Sequence, residues 1–196
     1  MEKYIAFDTE TGGLDPLANS LLTVYFVVFD STFKVLGDLD LKIKPDKGGN
    51  YNVTAEALGI NKIDLVKHDA EATTLTTAKA ELYTFLQKFN EDGKTKLIPV
   101  GHNIVFDESF VLNNLISRGV WHKFVSYRKL DTGTILQFLK MVGKVPTHVT
   151  GSLGSIIEHF NLKVNGELHI AKTDTVATVK SLRAMVKLIE GDSNGR

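Results

Sequence analysis

The chain has 196 residues, 43% of them hydrophobic and 23% charged, with 23 Lys+Arg balanced by 23 Asp+Glu. That length suits one domain with a sizeable core, and the neutral balance argues against a protein that coats long duplex nucleic acid and for one that holds it locally, at an end. Cysteine is absent, which excludes disulfides, zinc–thiolate sites and cysteine nucleophiles and fits a reducing compartment.

A polar Met1-Glu2-Lys3 leads at once into strand-like sequence, so no signal peptide is expected and a cytoplasmic location is. No apolar run approaches the roughly 20 residues needed to span a bilayer, so no membrane partner is expected. Residues 3–8 read as a first strand, Leu21 to Phe29 as a second and Phe33 to Lys44 as a third, with Asp30-Ser31-Thr32 as a short connection. Thr54 is placed to cap a short helix to Leu58, and Lys62 to Lys67 reads as another short turn. Leu75, Ala78, Leu82, Phe85 and Phe89 recur at helical spacing, predicting a helix of about 18 residues that Glu91-Asp92-Gly93-Lys94 ends. Leu97 to Val100 is a short strand, followed by Gly101-His102-Asn103 and a helix carrying Val105, Phe106, Phe110, Val111 and Leu115. Further helices carry Ile135, Phe138, Leu139 and Val142, then Leu153, Ile156, Ile157 and Phe160 behind a Ser152 cap, and a last one runs from about Thr173 to Ile189. Antiparallel-looking strands followed by alternating helices and short strands predict an α/β fold with a mixed sheet covered by helices.

The chemistry gathers at four acidic positions. Asp8 and Glu10 stand two apart at the end of the first strand, so their side chains project to one face. Like charges held that close are costly unless a cation lies between them. Gly12 and Gly13 then let the backbone turn. Asp107 lies just past a strand at the start of a helix, where α/β sheets place ligands. Asp174 lies in the first turn of the last helix. Four hard oxygen donors suit Mg²⁺ or Mn²⁺ rather than zinc, and two such ions about 4 Å apart can activate water and stabilise the leaving oxygen of a phosphoryl transfer.

Asp8-x-Glu10, His102-Asn103-x-x-Phe106-Asp107 and His169-x-x-x-x-Asp174 together resemble the three signature segments of the DnaQ-like, or DEDD, 3′–5′ exonucleases. Asp8 to Pro16 is similar to that family's opening segment, and Ala57-Leu58-Gly59-Ile60-Asn61 to its stretch between the third strand and the long helix. The resemblance implies a ribonuclease H-like fold, a mixed five-stranded sheet with helices on both faces, with a single exonuclease domain over residues 1–190 and a polar tail over 191–196. It implies Asp8, Glu10, Asp107 and Asp174 as ligands of two divalent ions, Mg²⁺ or Mn²⁺. Histidine five residues before the last aspartate marks the histidine branch and implies His169 as general base, a role that suits an imidazole with a reference pKa of about 6.5. The implied reaction releases nucleoside 5′-monophosphates from single-stranded DNA or RNA 3′ ends. A homodimer and a separate polymerase are the further partners the family allows. The alternatives are a non-catalytic nucleic-acid-binding or polymerase-associated module of the same fold and an enzyme that degrades short oligoribonucleotides.

Substrate contacts are expected from Thr11, Gly12 and Leu14, where Leu14 would pack against the terminal base. Asn103 would touch a nucleotide or cap the following helix, and Phe106 would stack on a base or join the core. His102 reads as a supporting residue, and Asp131 with Thr132 as a helix cap outside the metal set. Lys172 is a candidate to face the phosphate. Lys123, Arg128 and Lys129, interleaved with Trp121, Phe124 and Tyr127, form a candidate strand-contacting surface whose alternative is a solvated loop with aromatic packing.

Overall fold

The computed structural model describes residues 2–90 and 93–193. Its centre is a mixed sheet of six strands in the order β4-β3-β2-β1-β5-β6. Strands β1 (Lys3–Thr11), β2 (Leu21–Asp30) and β3 (Val35–Lys44) form an antiparallel meander. Strand β5 (Ile98–Gly101) pairs in parallel with β1, β6 (Leu130–Asp131) with β5, and β4 (Thr73–Thr74) with β3. The sixth strand is the difference from the expected five. Two-residue edge strands such as β4 and β6 are too short to show a period of two, so sequence patterning cannot register them.

The long strands form where β-branched and aromatic residues are dense. Strand β2 is buried along nearly its whole length because helices cover both faces. On one face Ile5, Phe7, Val24, Phe26 and Val28 pack against helices α3 (Leu75–Gln87), α4 (Ile104–Asn114) and α5 (Arg118–Phe124). On the other, Ala6, Tyr25, Val27 and Val100 pack against α8 (Ala171–Ser193). Helices α6 (Thr132–Met141) and α7 (Leu153–His159) add Leu136, Leu139 and Ile156 around Met185 of α8. Two short helices, α1 (Ala55–Asn61) and α2 (Leu65–Glu71), bridge β3 to α3. Among the described residues no helix is long and apolar enough to cross a membrane.

Several local expectations are met by direct hydrogen bonds. Thr54 accepts from Ala57 N, Ser152 from Ser155 N and Asp131 from Thr134 N, each opening a helix. Three segments differ. The long helix α3 stops at Gln87, and of the stretch expected to end it, Glu91 and Asp92 lie outside the described residues. Residues 118–124 form α5, whose Trp121 and Phe124 are buried in the core rather than offered to a ligand. The last helix starts at Ala171 and continues to Ser193, so the first part of the expected tail is helical, and residues 194–196 lie outside the described residues.

Candidate metal centre and nucleic-acid cleft

The alternation of β1 decides the geometry of the site. Its odd residues Ile5 and Phe7 face α4, and its even residue Ala6 faces α8. Asp8 and Glu10 therefore share the α8 face, where Asp174 waits in the first turn of α8. Carboxylate oxygens of Asp8, Glu10 and Asp174 lie within 4.8 Å of one another. Thr9 points to the opposite face and meets α4. Its backbone N–H and its hydroxyl both donate to Asp107 Oδ1, at 2.9 and 2.6 Å. The fourth carboxylate thus comes from the other side of the sheet, which is why Asp107 stands outside the tight group of three.

These carboxyls are crowded and poorly solvated. Burial, then the charges of Asp107, Asp174 and Glu10, push Asp8 well above the usual carboxylate range. Burial, then Asp174 and Asp107, push Glu10 up to about 8. Burial raises Asp107 to about 7 against the opposing hydrogen bonds from Thr9. Asp174 is raised by burial and partly restored by the backbone N–H of His169, which donates to its Oδ2 at 3.0 Å. Asp174 Oδ1 is buried and has no hydrogen-bond partner. A buried acceptor without a donor, beside two more carboxylates, is the environment that a hard divalent cation relieves.

His169 occupies the loop before α8 in a left-handed conformation (φ 67°) and is exposed. Its backbone N–H ties this loop to the Asp174 carboxylate. His102 contacts Thr132 Oγ1 through Nδ1 at 2.9 Å, which fits a supporting role, and burial lowers its pKa. Lys172 lies one residue into α8 and reaches toward β2 and β3. Its Nζ lies 4.9 Å over the Tyr25 ring and 3.8 Å from Asp40.

A cleft of about 580 Å³ opens beside Glu10. Thr11, Leu14 and Phe106 line it, as does the Ala57, Ile60 and Asn61 side of α1. Leu14 and Ile60 expose 85% and 58% of their surface, so apolar area at the cleft lies open to a ligand. Gly12 serves the wall from behind. A Cβ there would lie 2.3 Å from the Asn52 carbonyl, and Gly12 exchanges backbone hydrogen bonds with Ser20 and Thr54. Gly13 is pressed equally close to the Asn19 amide. Asn103 sits outside this lining, exposed, at the start of α4 with no side-chain cap. Lys129 pairs with the buried Glu108, and Arg128 stacks over the exposed Tyr127 ring at 4.7 Å.

No family model matches the sequence. Among curated proteins it is similar to ribonuclease T of Blochmanniella pennsylvanica, 30% identical over 141 residues, which is 67% of this chain and 63% of that one. Ribonuclease T of Wigglesworthia glossinidia brevipalpis is 28% identical over 137 residues, with the same shares. The chain thus spans just under two thirds of the length of these relatives. Among solved structures, the zinc-bound exonuclease I–single-stranded DNA complex of E. coli superposes with a TM-score of 0.74 at 17% identity, covering 95% of this chain and 41% of that one. Exonuclease I of Methylocaldum szegediense gives 0.68 at 16% identity, covering 95% and 40%. The fold is therefore ribonuclease H-like. In sequence the chain resembles ribonuclease T, and in fold it resembles exonuclease I.

In the fold the three segments that carry the resemblance come together at one end of β1 although they are far apart in sequence. Two contributors to the site show their contacts only once the fold is in place. Thr9 looks like a spacer between two acids until α4 is in place, and Asn61 holds the Thr11 carbonyl through Nδ2 at 3.1 Å across 50 residues. The stretch 57–61 was legible only through its DnaQ-like pattern, and it forms a wall of the cleft.

Proposed function

We propose that the protein is a divalent-cation-dependent 3′–5′ exonuclease that removes nucleoside 5′-monophosphates from single-stranded ends. The observation that carries this reading is the convergence of Asp8, Glu10 and Asp174 within 4.8 Å, with Asp174 Oδ1 buried and unpartnered, next to an open apolar cleft. Ribonuclease T as a sequence relative and the exonuclease I–single-stranded DNA complex as a fold relative support it.

Asp8, Glu10, Asp174 and, from the opposite face, Asp107 would hold one or two cations, with Mg²⁺ and Mn²⁺ the ions that suit an all-oxygen set. Bound there, the cation supplies charge neutralisation at the scissile phosphate. The remaining work falls to the chain itself. Leu14, Ile60 and Phe106 offer apolar contact for the terminal base, which orients the last phosphodiester toward the carboxylates. His169, tethered to Asp174 through its backbone, takes the proton of the attacking water. The new P–O bond forms as the P–O3′ bond breaks, and the departing 3′ oxygen takes a proton from water, leaving a shortened strand with a free 3′ hydroxyl and a nucleoside 5′-monophosphate. A non-catalytic module of the same fold would keep four crowded carboxylates at a cost and with no return.

The test uses single-stranded DNA and RNA labelled at the 5′ end and incubated with Mg²⁺, Mn²⁺ or EDTA. A ladder shortening from the 3′ end, absent in EDTA and absent when the 3′ end carries a phosphate, is expected. Cleavage inside a 3′-blocked strand, or no cleavage with either metal, would overturn the reading.

A further inference from the structure

Helix α4 carries Asp107 in its first turn but does not cap itself. Asn103, at the N-cap position, adopts left-handed backbone (φ 58°, ψ 41°), and its side chain makes no cap hydrogen bond. The Ile104 N–H instead donates to Asp131 Oδ2 at 2.9 Å, across 27 residues. The other oxygen of the same carboxylate accepts from Thr134 N at 2.9 Å and opens α6. One side chain therefore caps two helices, one with each oxygen. The contact between His102 Nδ1 and Thr132 Oγ1, 2.9 Å, ties the same two corners together a second time. On its far side the first turn of α4 is held by Thr9 of β1, through Asp107 Oδ1. The turn that presents Asp107 is thus pinned between β1 and the β6–α6 corner.

The choice of residue is informative. A helix N-cap is served as well by a neutral serine or asparagine as by aspartate. Here a further negative charge stands close enough to Asp107 to oppose that residue's ionisation. What only a carboxylate provides at this position is two acceptor oxygens for two helices.

We propose that Asp131 is a positioning residue for the cation site, fixing Asp107 by joining the start of α4 to the start of α6. The inference rests on the exonuclease reading above and adds to it a residue outside the acidic set. Asp107 comes from the face opposite the other three carboxylates, so its contribution depends on where α4 is held. Partners that orient ligating side chains typically change metal affinity or activity 10–100-fold when removed.

The decisive variant is Asp131→Ser. Serine still caps α6, but a single hydroxyl oxygen cannot stand where both carboxylate oxygens stood. Mn²⁺ titration of the full-length protein by calorimetry, without nucleic acid, should show affinity weakened about tenfold or more, with kcat on a 5′-labelled oligonucleotide lowered by a similar factor and KM little changed. Thr74→Ala is the control, because it removes a cap of α3 on β4, the sheet edge opposite β6, and should lower the melting temperature without moving the Mn²⁺ isotherm. If Asp131→Ser does not fold, Asp131→Asn, which keeps the size and one acceptor, takes its place with the same expected loss. A wild-type isotherm and kcat in whichever variant folds would overturn the proposal while leaving the exonuclease reading intact. A wild-type protein that binds no Mn²⁺ would overturn both.

Discussion

Replacing Glu10 with Gln should make the cation-free protein more stable at pH 8.5 and nearly unchanged at pH 5. Glu10 is half-buried beside Asp174 and Asp107, and its carboxyl is pushed from 4.5 to about 8. The folded state therefore holds this proton more tightly than the unfolded chain does. The stability it contributes is fully present below pH 4.5 and is lost as pH rises toward 8. The interval between those values corresponds to about 5 kcal/mol at 1.36 kcal/mol per unit, which is a ceiling, because Asp8 and Asp174 also take up protons and share the effect. Gln carries no charge at any of these pH values, so the variant should escape a loss of roughly 1 to 5 kcal/mol. Urea unfolding in EDTA at pH 5 and pH 8.5 measures it. Saturating Mn²⁺ should then narrow the gap at pH 8.5, and reverse it where it is under about 2.7 kcal/mol, because ligand at a hundred times its Kd adds about that much to a protein that binds it and nothing to one that does not. Parallel pH dependence of the two proteins in EDTA would refute the electrostatic account of the cluster.

Three further outcomes are expected. Asp8→Ala and Asp174→Ala should each abolish 3′-end degradation while keeping the wild-type far-ultraviolet circular dichroism spectrum; measurable turnover in either would remove that residue from the cation-holding set. His169→Ala should lower kcat by about 10²–10⁴ and leave the Mn²⁺ isotherm in place, since the side chain is assigned to the proton and not to the ion; a lost isotherm would reassign it as a ligand. Leu14→Ser should raise KM for a short oligonucleotide about fivefold, the worth of roughly half a leucine buried against a base, with stability changed by no more than about 0.5 kcal/mol because Leu14 is exposed in the free protein.

What could be read from sequence divides along physical lines. Strand and helix identity was legible wherever a long apolar period existed, as in β2 and α3, and capping was legible at Thr54, Asp131 and Ser152 because the cap lies next to the helix it opens. The acidic positions were legible because strand parity puts Asp8 and Glu10 on one face. The same parity also implies that Thr9 faces elsewhere. That it meets Asp107 depends on α4 docking on the opposite side of the sheet, a contact across 98 residues that no local pattern encodes. Helix α5 escaped because seven residues with Val120, Trp121 and Phe124 show too little periodicity, and the aromatic residues there serve the core. Phe138 illustrates the opposite error, since its helical spacing in α6 suggests burial and yet it is 52% exposed. The second role of Asp131, toward α4, was hidden for the same reason as Thr9: its partner is distant in the chain.

The cluster draws on helices from both sides of the sheet, α4 through Asp107 and α8 through Asp174. Each helix belongs to its own apolar layer, and those layers are separated by the sheet itself. An ion shared by their carboxylates would act as a rivet through the sheet's rim, joining two layers that hydrophobic packing leaves independent. Without it, mutual repulsion among the acids works against the hydrogen bonds that hold those first turns. On the proposed reading, loading the site would do mechanical as well as chemical duty: it would cross-brace the rim of the fold where the 3′ end is held.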